Sequence, residues 1–282
     1  MADVTTGAGA FGSTFIPDDE AHRRYLSQKQ KLVWRRRLLP LITILALLLI
    51  WEISVPLFGI KSFIAPAPSA VAVVLVTKFG LLMTNLLPTA IEAVLGFMIG
   101  NGAAVLVATA FVYKRTLEEA FFPVAVMFNT IPVVAKAPIL VLLLGNGMQP
   151  KIAIAAIICF FPTLVNMTRG LRDVNPQQME LMHVLSASPR EIFTRVRLRN
   201  SLPYLFSALK ITASTAVIGA IVGEWIGANS GIGALIIQST YNFDTPLLYA
   251  TIVVGSCFSA AFFGLIVWLE GRFLKWNVVA SS

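Results

Sequence analysis

Residues 39–58 read LPLITILALLLIWEISVPLF, a predominantly apolar run with one ionisable side chain, Glu52. A helix rises about 1.5 Å per residue, so about 20 apolar residues are needed to cross a hydrocarbon core of about 30 Å. A polar tail precedes the run and no small-residue cleavage site follows it, which argues against a secretory signal peptide. The stretch therefore predicts a membrane-spanning helix.

The composition of the whole chain agrees with a membrane protein. Of the 282 residues, 57% are hydrophobic and only 13% are charged, with a mean hydropathy of +0.79. A soluble domain carries roughly a quarter charged residues, enough to coat its surface in water. The net charge of +8 does not indicate nucleic-acid binding, because the basic residues stand at the ends of apolar runs.

Five further apolar runs follow the first and alternate with turn residues. They are predicted to span the membrane at residues 83–112, 117–144, 151–168, 204–226 and 246–269. A short amphipathic helix is expected at 70–80, capped by Ser69, and a re-entrant or interfacial piece after residue 233. The sequence thus predicts an all-α integral membrane fold with six transmembrane helices. The expected divisions are an N-terminal tail (1–38), a first helix with an external amphipathic segment (39–82), a transmembrane core (83–270) and a C-terminal tail (271–282).

The basic residues predict the orientation of these spans. With six spans and an internal N-terminus, 18 of the 22 basic residues fall on the cytoplasmic side. Lys61, Lys78 and Lys151 fall outside, and Lys136 lies within a span. Because cytoplasmic loops carry the excess of Lys and Arg, both termini are predicted to be cytoplasmic in a bacterial inner membrane. Residues 1–20 are small and polar and are expected to be disordered.

The sequence lacks the features of two other classes of membrane protein. An intramembrane enzyme needs a constellation such as paired Asp or His-Glu-x-x-His, and none occurs. The only histidines, His22 and His183, are cytoplasmic in this topology, and Cys159 and Cys257 lie inside apolar runs without metal-ligand spacing. A secondary transporter working alone usually has more spans or an inverted repeat. No catalytic or metal site is therefore expected in the chain.

The polar stretch 169–203, between the fourth and fifth spans, is far longer than a connector requires and predicts two short helices. The Asn175-Pro176 pair favours a helix start, and Ser186-Ala187 favours its end. Ser188-Pro-Arg-Glu191 then matches a capping box that opens a second helix. The expected apolar faces are Met179, Met182 and Leu185 on the first helix and Ile192, Phe193, Val196 and Leu198 on the second.

Physical reasoning leaves two interpretations of this helix pair open. Apolar side chains among charges suit docking into the groove of a partner protein. Four arginines, Arg190, Arg195, Arg197 and Arg199, equally suit an amphipathic pair that lies on an anionic membrane surface.

The segment resembles the EAA loop of permease subunits of type I ABC importers. Glu180-Leu181-Met182 stands where that family has Glu-Ala-Ala, and Ser186 stands at the family's glycine. Val196 takes the isoleucine position, Leu198-Arg199 the first Leu-Pro and Leu202-Pro203 the second. The chain departs from the family pattern at two positions: it has serine where the family has glycine, and arginine where the family has the first proline. Both departures affect the geometry of the turn.

Other stretches resemble the same family in the same order. They are Leu95-Gly96-Phe97, Ile131-Pro132 through Ala137-Pro138, Gly145-Asn-Gly147 and Val222-Gly223-Glu224-Trp225 before Asn229-Ser-Gly-Ile-Gly233. Together they cover about residues 64–270 and are most similar to the branch that imports nitrate, taurine, alkanesulfonates and pyrimidine-type thiamine precursors.

The resemblance implies a function and a set of partners. The chain would be the permease of an importer that moves a small polar or anionic solute, paired with a second permease subunit, expected to be identical, and supplied by an extracytoplasmic solute-binding protein. The first helix of the EAA-like loop would be the coupling helix that fits a cytoplasmic ATPase subunit. The coupling residues it implies are Glu180, Leu181, Met182, Leu185, Ser186 and Ala187. No phosphate-binding loop occurs in the chain, so ATP and Mg²⁺ are expected on the partner subunits.

Ionisable residues inside the spans are candidates for function. Glu92 and Lys136 lie eight to nine residues from the outer ends of consecutive antiparallel spans, at a depth of about 12 to 14 Å. Equal depth permits a structural ion pair; alternatively, Lys136 faces the pore and meets an anionic solute. Glu52 and Glu224 are expected at the outer interface. Phe128, Asn129 and Phe161 are further pore candidates, unless they only pack between helices.

Overall fold

The computed structural model describes residues 19–274, with side chains from residue 38 onward. The predicted disorder of the N-terminal tail concerns residues that lie almost entirely outside this range. Within it, all regular structure is helical, as the apolar periodicity predicted. The helices are α1 (Asp19–Leu57), α2 (Pro68–Thr77), α3 (Phe79–Tyr113), α4 (Arg115–Thr130), α5 (Val133–Leu144), α6 (Gln149–Arg172), α7 (Pro176–Val184), α8 (Pro189–Ile192), α9 (Leu198–Glu224), α10 (Ile232–Tyr241) and α11 (Thr245–Phe273).

The described residues contain five helices that are long and apolar enough to cross a membrane, or six if α4 and α5 form one broken span. The chain divides into two compact units, residues 1–59 and 60–282. The first unit contains α1, whose residues Leu38–Leu57 match the predicted first span. The second unit contains α2 to α11 and everything discussed below.

The third span differs from the prediction of one continuous helix. α4 and α5 meet at an angle of 100° across residues 131–132. Pro132 explains the break, because its ring disfavours a helical conformation of the preceding residue. Ile131 is accordingly extended, with φ −67° and ψ 126°.

The centre of the second unit is formed by α3, α6 and α9, which pack closely through small residues. A Cβ added to Gly100 would strike the backbone carbonyl of Ala156, and one added to Gly96 would strike the side chain of Ala155. Nothing lies within 4 Å of a Cβ placed on Gly102, so that glycine takes no part in the close approach. Small residues at such positions let membrane helices approach closely, as the composition of α3 indicated.

A buried polar triad joins the same three helices in the core. The Oδ1 atom of Asn101 accepts hydrogen bonds from Thr163 Oγ1 at 2.5 Å and from Thr212 Oγ1 at 3.1 Å. Its amide nitrogen donates to the carbonyl of Phe97 at 2.7 Å. Each polar atom is therefore paired away from solvent, which removes the cost of burying it.

Two predictions about the short helix α2 are wrong. It starts at Pro68, after Ala67, so Ser69 lies inside the first turn and does not cap it. The helix is not amphipathic, because its exposed positions include Val73 and Val76 while Val71 is buried. The predicted short piece after residue 233 is present as α10, which packs with α2 and α11 in one apolar cluster.

Candidate functional site

Two regions of the second unit can carry function: the segment 169–203 and a cavity between α3, α4 and α6. In the segment, the local predictions of helix ends are confirmed. Asn175 caps α7 by accepting a hydrogen bond from the backbone N–H of Gln177 at 2.9 Å. Ser188 and Glu191 form both halves of a capping box at the start of α8.

Ser186, at the position where the EAA pattern has glycine, adopts a left-handed backbone conformation. Its φ is +52°, a conformation that glycine adopts freely and that other residues adopt at a cost. The backbone turn after α7 thus retains the geometry for which a glycine is suited.

The exposed apolar side chains at the end of α7 agree only in part with the predicted face, which included Leu185 but also Met179 and Met182. Leu181, Val184 and Leu185 are 58%, 81% and 65% exposed, whereas Met179 and Met182 are half-buried. Met182 lines the space between α7 and the start of α9. Val184 was missed because the periodicity of a nine-residue helix does not show which face turns toward the protein.

The sequence predicts a separate, short second helix. The structure instead shows a second helix that is continuous with the next membrane span. α8 continues through a π-helical turn, Phe193–Arg197, into α9, so one helical path runs from Pro189 to Glu224. Pro203 lies inside this path without ending it. The segment that follows α7 is therefore a direct extension of a membrane span.

Side-chain hydrogen bonds join this extension to the end of α6. The amide of Asn200 donates to the carbonyls of Gly170 at 3.1 Å and Asp173 at 2.5 Å. The hydroxyl of Tyr204 donates to the carboxylate of Asp173. These hydrogen bonds join the two spans at the points where the chain enters and leaves the segment that carries α7.

The cavity has a volume of about 500 Å³ and lies beside the break between α4 and α5. We call it the aromatic cavity. Phe121 and Phe128 line it from α4, and Phe160 and Phe161 line it from α6. Its polar lining residues are Asn129 and Lys136. Three predicted pore candidates, Phe128, Asn129 and Phe161, are therefore gathered at one place with Lys136.

The predicted ion pair between Glu92 and Lys136 is wrong. Glu92 instead pairs with Lys151, whose Nζ lies 3.3 Å from Glu92 Oε1. Lys136 forms no ion pair with any residue of the described range, and its Nζ lies 5.5 Å from the ring centre of Phe128. The two side chains lie at equal depth only if the third span is straight, and the bend at Pro132 turns α5 away from that path.

Glu224, expected at the outer interface, is only 1% exposed. Its carboxylate accepts hydrogen bonds from Thr89 Oγ1 at 2.6 Å and from the backbone N–H of Gly233 at 2.5 Å. Glu224 therefore fastens the start of α10 to α3 and α9. The signal that could have revealed this role was the glycine-rich Asn229–Gly233 run, which leaves backbone N–H groups free to approach a carboxylate.

Comparisons with known proteins agree with this architecture. Residues 96–275 match the family of binding-protein-dependent transport system inner membrane components. A probable ABC transporter permease protein of Haemophilus influenzae is 34% identical over 86% of this chain and 99% of its own length. The formylaminopyrimidine transport permease protein ThiX of Halalkalibacterium halodurans is 33% identical over 84% of this chain and 95% of its own.

More distant proteins share the fold. A putative aliphatic sulfonates transport permease protein of Bacillus subtilis is 27% identical over 96% of this chain and 97% of its own length. A chain of the inward-facing MetNI methionine ABC transporter superposes with a TM-score of 0.60 at 19% identity, covering 71% of this chain and 97% of that one. The chain belongs to the family of binding-protein-dependent transport system inner membrane components, and it is the permease component of an ABC importer, a multi-pass membrane subunit whose ATP hydrolysis lies in partner subunits.

Proposed function

We propose that α7 is the coupling helix through which cytoplasmic ATPase subunits drive this permease. The supporting observation is the exposed apolar tip formed by Leu181, Val184 and Leu185 on a segment fastened to two membrane spans. Apolar side chains presented by a short helix fit a groove in a partner. Closure of the ATPase subunits on ATP would then displace α7 and, with it, the ends of α6 and α9.

The residues proposed to make this contact are those of the EAA-like opening and the turn after it: Glu180, Leu181, Met182, Leu185, Ser186 and Ala187, with Val184 added from its exposure. Ser186 adopts a left-handed backbone conformation just after α7 and turns the chain there. The helix therefore stops at the apolar tip, and the tip is left projecting from the segment.

The remaining parts of the assembly follow from this role. We propose that a second copy of this chain forms the other half of the pore, that ATP and Mg²⁺ bind to the ATPase subunits, and that a binding protein delivers a small polar or anionic solute from outside. The 18 basic residues of the inner segments support an orientation with both termini in the cytoplasm of a bacterial inner membrane. Relatives are named for transport of formylaminopyrimidine, riboflavin and aliphatic sulfonates.

The test is co-purification of the permease with its ATPase subunit. A Leu181→Glu, Val184→Glu double variant should lose most of the bound ATPase, because two carboxylates would have to be buried in an apolar groove. Thr194→Glu is the control for added charge, since Thr194 is exposed on the same cytoplasmic segment but outside α7. Undiminished binding in the double variant would contradict the proposal, and so would transport by the chain without any ATPase, which is the secondary-transporter alternative.

A further inference from the structure

Lys136 differs from three other lysines of the second unit, each of which pairs with a carboxylate. Lys151 pairs with Glu92 at 3.3 Å, Lys78 with Asp244 at 2.8 Å and Lys210 with Glu270 at 2.8 Å. Within the described residues Lys136 has no carboxylate partner, and its ammonium group lies 5.5 Å from the ring centre of Phe128. A lysine without a counter-charge in an apolar segment is costly, and such residues mark ligand and ion pathways.

The residues that line the cavity beside Lys136 are suited to bind a ligand with a planar ring. The aromatic cavity has about 500 Å³, a size typical of sites for small molecules. Phe121, Phe128, Phe160 and Phe161 supply ring surfaces from two sides, and Asn129 adds one amide that can donate or accept a hydrogen bond. Phe122, beside this wall, packs against Phe161 with ring centres 6.4 Å apart and so supports the ring from behind.

We propose that the aromatic cavity binds an anionic solute that carries a planar aromatic or heteroaromatic ring. In this arrangement the ammonium group of Lys136 contacts the anionic group, the amide of Asn129 bonds a polar ring substituent, and the ring lies among the phenylalanines. The ammonium group exchanges its weaker contact with the Phe128 face for an ion pair. The inference rests on the proposed importer function and narrows the class of its solute.

Three helices contribute side chains to the wall of the aromatic cavity. The wall residues Phe121 and Phe128 belong to α4, Lys136 to α5, and Phe160 and Phe161 to α6. α4 is fastened at its cytoplasmic end to α6 by the ion pair between Glu118 and Arg172. The helix that carries Phe121 and Phe128 is thus joined by an ion pair to the end of α6, from which the proposed coupling segment continues.

The experiment measures binding of probe anions to the assembled permease–ATPase complex in detergent by equilibrium dialysis. The probes are p-toluenesulfonate (aromatic anion), propane-1-sulfonate (aliphatic anion) and p-toluenesulfonamide (neutral ring). We expect p-toluenesulfonate to bind at least about tenfold more tightly than either comparison probe, since only it satisfies both Lys136 and the rings. Photolabelling with 4-azidobenzenesulfonate should modify peptides that contain residues 121–136 or 157–164.

Variants assign the effect to Lys136. Lys136→Met should weaken p-toluenesulfonate binding about tenfold or more, while Lys136→Arg should stay within about threefold of the original protein. Lys61→Met is the matched control, because Lys61 also lies over a phenylalanine, Phe63, at 5.8 Å but outside the cavity. Equal loss in Lys61→Met and Lys136→Met would overturn the inference.

The remaining outcomes are also decisive. Equal affinity for the three probes would overturn the proposed solute class. So would displacement of the photolabel by phosphatidylglycerol vesicles together with less co-purified phosphatidylglycerol in Lys136→Met, which would identify a lipid site. If one of these outcomes is found while the complex still contains its ATPase, only this inference is contradicted. If the unmodified permease does not retain the ATPase, the proposed function itself is contradicted.

Discussion

The ammonium group of Lys151 lies 3.3 Å from the carboxylate of Glu92, and the two side chains are 8% and 0% exposed. This pair joins the first turn of α6 to the middle of α3. It lies directly against α9, because a Cβ on Gly223 would meet the backbone of Lys151 at 3.0 Å. One buried ion pair thus stands where the three central helices meet.

Breaking this pair should destabilise the protein strongly. Glu92→Met leaves the ammonium group of Lys151 buried without a partner, which costs about 3 to 5 kcal/mol. We expect a lower yield of folded protein and a lower thermal unfolding temperature in detergent. The Glu92→Met, Lys151→Met double variant should recover much of the loss, since it buries no unpaired charge. A single variant as stable as the original protein would show that the pair contributes little.

Gly100 and Gly102 provide a matched test of helix packing. Gly100→Val should destabilise the protein by about 1 to 3 kcal/mol, because its side chain must displace the backbone of Ala156. Gly102→Val has open space around it and should leave the unfolding temperature within a few degrees of the original. The measurement is thermal unfolding of the two purified variants side by side. Equal effects would mean that α3 and α6 are not in close contact at Gly100.

Glu224 should control the attachment of α10. Glu224→Gln keeps the shape of the side chain but loses one of two acceptor oxygens, so either Thr89 or the N–H of Gly233 is left unsatisfied. The expected cost is about 1 to 3 kcal/mol. Limited proteolysis should then cut faster within residues 227–243 than in the original protein. Thr89→Val removes the donor to Glu224 and also the acceptor of the Ile232 N–H at 2.8 Å, so it should speed cleavage of the same region as well.

Ser186 offers a test of the turn that ends α7. Ser186→Gly should stabilise the turn by about 1 kcal/mol, because the left-handed conformation costs a residue with a side chain roughly 1 to 2 kcal/mol, whereas glycine adopts a φ of +52° without steric cost. Ser186→Val should weaken the turn and reduce co-purification of the ATPase, since a β-branched residue is strained at positive φ. Stronger ATPase binding by the valine variant would contradict the proposed role of this turn in presenting α7.

Much of the architecture was open to prediction because its signals are local. The apolar run at 39–58, the Asn175 cap and the Ser188–Glu191 capping box depend on residues within a few positions of one another. Each was found where it had been predicted, as were α3, α6, α9, α10 and α11 within a few residues. The family resemblance in residues 169–203 was likewise carried by spacing along the chain.

The partners of buried charges could not be predicted in this way. Glu92 and Lys136 would lie at the same depth in the membrane if the third span were straight. A 100° bend after Ile131 separates the two side chains, so they do not pair. Lys151, assigned to the outside by the charge rule, is Glu92's partner because α6 packs on α3. Glu224 is buried because α10 folds back over it.

The sequence by itself thus determined the helical, membrane-spanning nature of the chain, the positions of most of its spans and the caps of the segment 169–203. The tertiary structure decided which side chains of α7 are exposed, which charges are paired and that Lys136 faces an aromatic cavity alone. The reason is physical: helix formation and membrane burial depend on neighbours along the chain, whereas ion pairing and exposure depend on which helices lie beside one another.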